Sequence, residues 1–226
     1  MESLETAPPP PTPIPYREEV KRKAIHLLAL VVPLGMALLG KLWSIYLLVP
    51  MALLAISADY LRVRSAPFAR FIYLIFGSMM RTEERPPMGG PVTINGATWV
   101  LLSAALLALT FPIRIGVPAF TMFMLSDAAA ALVGRRFGRL HWGKNPRTVE
   151  GSLAFLVTGL AVMAFFPNIV FWIGAVSVGA AALAEALPRP FNDNLRVPLV
   201  AATVILLLEH FVLNADAVLA LHIFNL

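Results

Sequence analysis

The stretch Ile113-Arg114-Ile115-Gly116-Val117-Pro118-Ala119-Phe120-Thr121-Met122-Phe123-Met124-Leu125-Ser126-Asp127-Ala128-Ala129-Ala130-Ala131-Leu132-Val133-Gly134 decides the fold. As a helix rising about 1.5 Å per residue it is long enough to cross roughly 30 Å of hydrocarbon. It is nearly all apolar, yet it carries one carboxylate, Asp127, close to its end. A charge inside a span costs at least about 2.5–3.5 kcal/mol on insertion scales, so Asp127 needs a partner, a metal or water. The rest of the chain repeats the pattern of apolar blocks. Of its 226 residues 58% are hydrophobic and 14% charged, too little polar cover for a water-soluble globule. The composition predicts an all-α polytopic membrane bundle. The absence of cysteine excludes a disulfide scaffold, a thiolate zinc site and a cysteine nucleophile together.

Outward from that span, six further blocks can be drawn: Ala24–Gly40, Leu42–Ala58, Ile94–Phe111, Gly151–Pro167, Ile169–Leu187 and Leu195–Leu213. Several are short and require tilt or local thinning of the bilayer. Between the second and third spans, Phe68, Phe71, Ile72, Ile75, Phe76 and Met79 recur at helical spacing amid arginines, so Tyr60–Met80 reads as an interfacial amphipathic helix. With seven spans, 16 Lys and Arg fall on one side against Lys41 and Arg114 on the other, which predicts a cytoplasmic N-terminus. Cations placed between apolar blocks point to topology and anionic ligands, and nucleic acid is not expected. Residues 1–16, with prolines at 8–11, 13 and 15, read as a disordered lead, and 17–226 as one membrane domain. The lead is not read as a cleavable signal, because the first apolar block begins only after residue 23.

The costly polar residues gather at the predicted cytoplasmic ends: His26, Asp59, Asn95, Ser126-Asp127, Glu150, Glu185 and Asp193-Asn194. Convergence of acids and bases on one face is the pattern of a site. A transporter would put ionisable groups near the midplane on broken helices in corresponding halves, which is not seen. Asp127 with Ala130, Ala131 and Gly134 makes a small-residue stripe around one carboxylate, and magnesium is its natural partner because it prefers hard oxygen ligands. Asn95 before Gly96-Ala97-Thr98 suits a helix N-cap or a functional contact equally. The loop Gly134–Ser152 concentrates Arg135, Arg136, Arg139, Lys144 and Arg147 among glycines and then opens a helix, a combination suited to phosphate. It is not a Walker A loop, which needs strand context and Gly-Lys-Ser/Thr.

In order along the chain, Arg22-Lys23-x-x-His26, Asn95-Gly96-Ala97-Thr98, Ser126-Asp127-Ala128-Ala129-Ala130, Gly134-Arg135-Arg136-Phe137-Gly138, Arg147-Thr148-Val149-Glu150-Gly151-Ser152 and Glu185 with Asp193-Asn194-Leu195-x-x-Pro198 make up a pattern. It resembles the CTP-dependent lipid-alcohol kinases, the group that includes dolichol kinase, phytol kinase and CTP-dependent diacylglycerol kinase. The resemblance runs from about Arg17 to Val200. Members often have lysine where this chain has Arg147, which keeps the charge and changes the donor geometry. What the resemblance implies is transfer of the CTP γ-phosphoryl group to the hydroxyl of a membrane lipid, with a divalent metal such as Mg²⁺. It assigns metal binding to Asp127 and Asp193, and phosphate contacts to Arg135, Arg136, Lys144 and Arg147. Asn95 and Asn194 would set site geometry, and Glu150, Glu185 or His26 would serve as general base. The nearest alternative is a phosphatidate cytidylyltransferase, whose usual C-terminal Lys-Asp and Gly-Gly-x-x-Asp-Arg-x-Asp elements are missing. A non-catalytic transporter is the second.

Overall fold

The computed structural model describes residues 16–77, 80, 84–143, 147–187 and 191–213. Eight helices follow one another without a strand among these residues: α1 Tyr16–Leu28, α2 Val31–Arg64, α3 Ala66–Phe76, α4 Gly96–Thr110, α5 Ile113–Phe137, α6 Val149–Ala164, α7 Phe171–Ala186 and α8 Asp193–Phe211. The all-α membrane architecture expected from composition is what the chain adopts. Three stretches are long and apolar enough to cross a membrane: Tyr16–Arg64, Ile113–Phe137 and Asp193–Phe211.

The boundary drawn at Gly40 is a true break. Its φ of 76° lies in the left-handed region, which glycine enters without the Cβ penalty, and the helical path of α2 is interrupted there. The chain reverses at this point. Before it, Lys23 meets Asp127 of α5 and Met36 reaches Gly116, closer to the start of α5. After it, Lys41 donates to the Phe111 carbonyl at 3.4 Å, whereas Asp59 lies beside Asn95 at the start of α4. The two arms of α2 therefore run in opposite directions, as two separate spans would.

Other boundaries shift from the sequence expectation. The interfacial segment Tyr60–Met80 divides, because Ser65 is extended and Pro67 opens a new helix, leaving Tyr60–Arg64 in α2 and only Ala66–Phe76 in α3. Helices α4, α6 and α7 have 15, 16 and 16 residues, shorter than the blocks predicted as full spans. At about 1.5 Å per residue they rise roughly 23–24 Å. Asn95 caps α4 and leaves Ile94 outside it, and Pro112 opens α5 directly after Phe111. The Pro-rich lead, apart from Tyr16, lies outside the described residues, as does Lys144.

Helix α5 is the centre of the bundle, packed most closely on α6 and also touching α1, α2, α4 and α8. Ile115, Phe120, Met122, Phe123 and Met124 are fully buried along it. Its neighbours offer small residues, among them Ala104, Ala108, Ala201 and Ala202, all buried. Lipid tails are as apolar as leucine, so association in a bilayer depends on such close packing and not on hydrophobic burial. A methyl group added at Gly159 would stand 2.6 Å from Val178 Cγ1, so α6 and α7 approach at a distance only glycine permits. Leu38, Leu54, Leu74 and Phe165 project outward, the inverse of a soluble protein's surface.

Candidate functional site

At one end of the bundle α1, the second arm of α2, α3, α4, α5 and the start of α8 enclose a cavity of about 500 Å³. Its charged and amide lining is Arg22, Lys23, His26, Asp59, Arg62, Glu84, Asn95, Asp127, Asn192, Asp193 and Asn194. This is the size of a small-molecule pocket.

Asp127 is brought to it by the alanine-rich second half of α5. Lys23, one turn before His26 on α1, bonds Asp127 Oδ2, and His26 Nε2 stands 3.4 Å from the same oxygen. Lys23 is only 4% exposed. The partner that a carboxylate in an apolar helix requires is thus a cation from a helix more than a hundred residues away in sequence. Phe123, one turn before Asp127, meets the His26 ring edge-on at 6.0 Å. His26 Nε2 is buried and makes no hydrogen bond.

A second carboxylate, Asp59, is saturated by protein donors. It accepts from Asn95 N at 3.0 Å, Asn95 Nδ2 at 2.6 Å and Thr98 Oγ1 at 2.7 Å, with Arg62 Nη2 at 3.1 Å. Arg62, almost wholly buried, then donates to the carbonyls of Glu84 and Thr93, both at 2.8 Å. It clamps the connection before α4 onto α2. Asn95 caps α4 through Oδ1 to Thr98 N, so its side-chain oxygen acts structurally. Glu84 Oε1 accepts from Gly96 N at 3.0 Å, and Asn194 Nδ2 donates to Gly96 O at 3.2 Å, which ties α8 to α4.

Asp193, at the start of α8, lies between two arginines: Arg147, which bonds its Oδ2, and Arg196, 2.7 Å from Oδ1. Arg147 also holds Glu185 at 2.8 Å through Nε. Arg135 reaches Glu19 at 3.4 Å, and Glu19 is fully buried and also held by Arg22.

Of the residues singled out from sequence, the fold brings His26, Asn95, Asp127, Asp193 and Asn194 around the cavity. Glu185 and Arg147 join it through Asp193, and Arg135 stands behind Glu19 and Arg22. Two others are placed elsewhere. Arg136 stacks over Tyr16 and Phe137, and Glu150 sits half-buried in the first turn of α6, accepting from the loop amides of Arg139 at 2.9 Å and Leu140 at 3.2 Å. Its own backbone amide, then those two, hold its carboxyl below the usual carboxylate range. Lys144 lies outside the described residues.

The glycines of the loop have a packing reason. Thr148, which caps α6 through Gly151 N, occupies the space they leave. A Cβ at Gly134 would be 2.9 Å from Thr148 Oγ1, and one at Gly151 would be 3.0 Å from the Ala130 carbonyl. The spacing that suggests a phosphate cradle lets α5 and α6 close on a threonine. Arg62 and Glu84 have no role assigned from sequence, Asp59 enters only as one of the converging polar residues, and Lys23 only as part of the Arg22-Lys23-x-x-His26 pattern. Asp59 and Arg62, opposite charges three apart at the end of an apolar helix, carried the available signal.

No protein-family model matches the chain, and no solved structure matches it. An uncharacterized protein of Rickettsia prowazekii is 26% identical over 188 residues, 80% of this chain and 90% of that protein. Dolichol kinase of Saccharomyces cerevisiae is 42% identical over 38 residues, which are 17% of this chain and 7% of that enzyme. The likeness to the kinase is therefore local.

Proposed function

We propose that this chain is a multi-pass membrane enzyme that transfers the γ-phosphoryl group of CTP to the hydroxyl of a membrane lipid alcohol, with its site on the cytoplasmic side. The observation that carries this is the cavity itself, where the Lys23–Asp127–His26 group meets walls that turn apolar. The local likeness to dolichol kinase and the resemblance in motif order support the same chemistry. The surplus of cations at this end supports the orientation.

In the reaction the lipid oxygen forms a bond to the γ-phosphorus as the bond to CDP breaks, and the hydroxyl proton passes to a base. His26 Nε2, buried beside Asp127 and making no hydrogen bond, is the group we assign to take it. Phosphoryl transfer mostly needs positioning and neutralisation of charge. Lys23, Arg22, Arg135 and Arg147 supply cations around the cavity, and Asn194 holds α8 against α4.

Magnesium fits the donor set. No group of three His, Cys, Asp or Glu converges among the described residues, so nothing there forms an all-protein cage. Mg²⁺ is usually held by one or two carboxylates together with substrate phosphates, and Asp127 and Asp193 on one cavity would take it by exchanging their bonds to Lys23 and to Arg147 and Arg196. When bound it would neutralise phosphate charge and polarise the phosphoryl oxygens.

The test is purified protein in detergent with magnesium, γ-labelled CTP and a panel of lipid alcohols, run beside ATP. Label in the lipid with release of CDP is expected. Cytidine in the lipid would mean a cytidylyltransferase, and no turnover with any alcohol would leave a binding or transport protein.

A further inference from the structure

The walls of the cavity change character along the bundle. On α1 and the start of α2 the lining runs Arg22, Lys23, His26, then Ala29 and Val32. On α4 it runs Asn95, Gly96, then Val100 and Leu101. Both turn apolar in the same direction, from the charged end toward the middle of the bundle.

The cavity also opens sideways. Ile25 of α1 and Phe76 of α3 line it and are nevertheless 46% and 47% exposed, so they stand at its mouth. Helix α1 packs on α5 and α3 on α2, with no extensive contact between α1 and α3 among the described residues. The outward side of α3 carries Leu74, 86% exposed, with Phe71 and Ile75 beside it. The mouth therefore passes through apolar surface. A volume near 500 Å³ suits one drug-sized ligand and cannot enclose a nucleotide and a long tail together. The tail of a membrane lipid has to leave through this opening.

Resting on the kinase reading above, we propose that the slot formed by Ala29, Val32, Ile72, Phe76, Val100 and Leu101 holds the first part of a plain hydrocarbon tail. The acceptor is then a prenyl or long-chain alkyl alcohol in preference to diacylglycerol. In diacylglycerol two ester groups lie immediately below the hydroxyl, and their carbonyls only accept hydrogen bonds. None of the six slot side chains can donate one. Thr98 lies nearby on α4, but its hydroxyl is already given to Asp59. An acceptor buried without a donor loses its hydrogen bonds to water with no replacement. A hydrocarbon tail has nothing to lose there.

Two measurements test this. In mixed micelles with CTP, a long prenyl alcohol should exceed diacylglycerol by roughly tenfold or more in kcat/KM, the order expected for unmet acceptors. Equal or better turnover of diacylglycerol overturns the proposal while leaving the kinase reading standing. Ala29→Phe should reduce kcat/KM for the long alcohol at least about tenfold more than for a short one, as expected when a side chain fills a packed slot. Equal losses for both count against the slot. Independently of turnover, a prenyl alcohol carrying a photoreactive group near its hydroxyl should cross-link to Ile72 and Phe76 of the full-length protein. A separate apolar groove lies on α8, lined by Leu195, Leu199 and Val204, and cross-links confined to it overturn the slot. Cross-links in the slot without phosphorylation keep it and remove the kinase.

Discussion

The bundle buries ion pairs at both ends, and the two ends are built differently. At the end remote from the cavity, Arg114 and Glu209 meet at 2.8 Å, Asn168 donates to the Arg114 carbonyl at 2.9 Å, and Lys41 donates to Phe111. Each contact there joins one element to another, with no cavity beside it among the described residues. At the cavity end Asp59, Glu84, Asp127 and Asp193 surround a void together with Arg22, Lys23 and Arg62. A pair that only fastens helices has no use for empty space beside it. Several charges arranged round a space keep their mutual stabilisation and can still exchange partners with an incoming anion or cation.

The sharpest way to break this comparison is Asp127→Asn. It should lower kcat/KM for CTP-dependent transfer by roughly 10³-fold, the scale of losing a group that positions charge in phosphoryl transfer. Circular dichroism and gel filtration should show the fold retained, because Lys23 keeps an amide oxygen beside it. Normal turnover in that variant would remove Asp127 from the chemistry. Arg114→Ala tests the other end. It leaves buried Glu209 without its cation, and should cost about 2–3 kcal/mol of stability, at the low side for a buried pair because Arg114 is partly exposed. Thermal unfolding would register that loss, with turnover at a permissive temperature within about twofold of the parent.

Asn95→Ala should have a smaller effect than either. Removing an N-cap costs about 1 kcal/mol, and the same change takes one side-chain hydrogen bond, that from Nδ2, away from Asp59. Hydrogen exchange should rise at the start of α4 before it rises elsewhere. The smallest effect belongs to Glu150→Gln. The Glu150 carboxyl is held below its ordinary value of 4.5 in the fold, so the stability it lends the loop is complete above that pH and is lost as pH falls through the folded value. Exchange of the Arg139 and Leu140 amides should lose that acid dependence in the variant. Loss of transfer activity at neutral pH would instead place Glu150 in the chemistry.

The convergence of His26, Asn95, Asp127, Asp193 and Asn194 on one end was legible because the order of apolar blocks assigns each residue to an end. A helix has only two ends, so counting spans correctly decides the side. Depth and direction are another matter. Arg136 follows Arg135 directly, yet successive residues on a helix point about 100° apart, and one faces Glu19 while the other stacks on Tyr16. Sequence shows Glu150 among cations, but its bonds to the Arg139 and Leu140 amides are visible only in the fold. The glycines misled for the same reason. Small residues that permit close approach look alike whether a phosphate or Thr148 does the approaching.

By itself the sequence determined the helical membrane character, the break at Gly40, and the gathering of costly charges at one end. These follow from local and additive quantities: apolar length against bilayer thickness, backbone freedom at glycine, and the cost of burying charge. Tertiary structure alone decided that Lys23 neutralises Asp127, that Arg62 clamps the approach to α4, and that α1 and α3 leave a side opening between them among the described residues. Those outcomes depend on which faces of distant helices meet, which is set by packing over the whole bundle and is carried by no single stretch of chain.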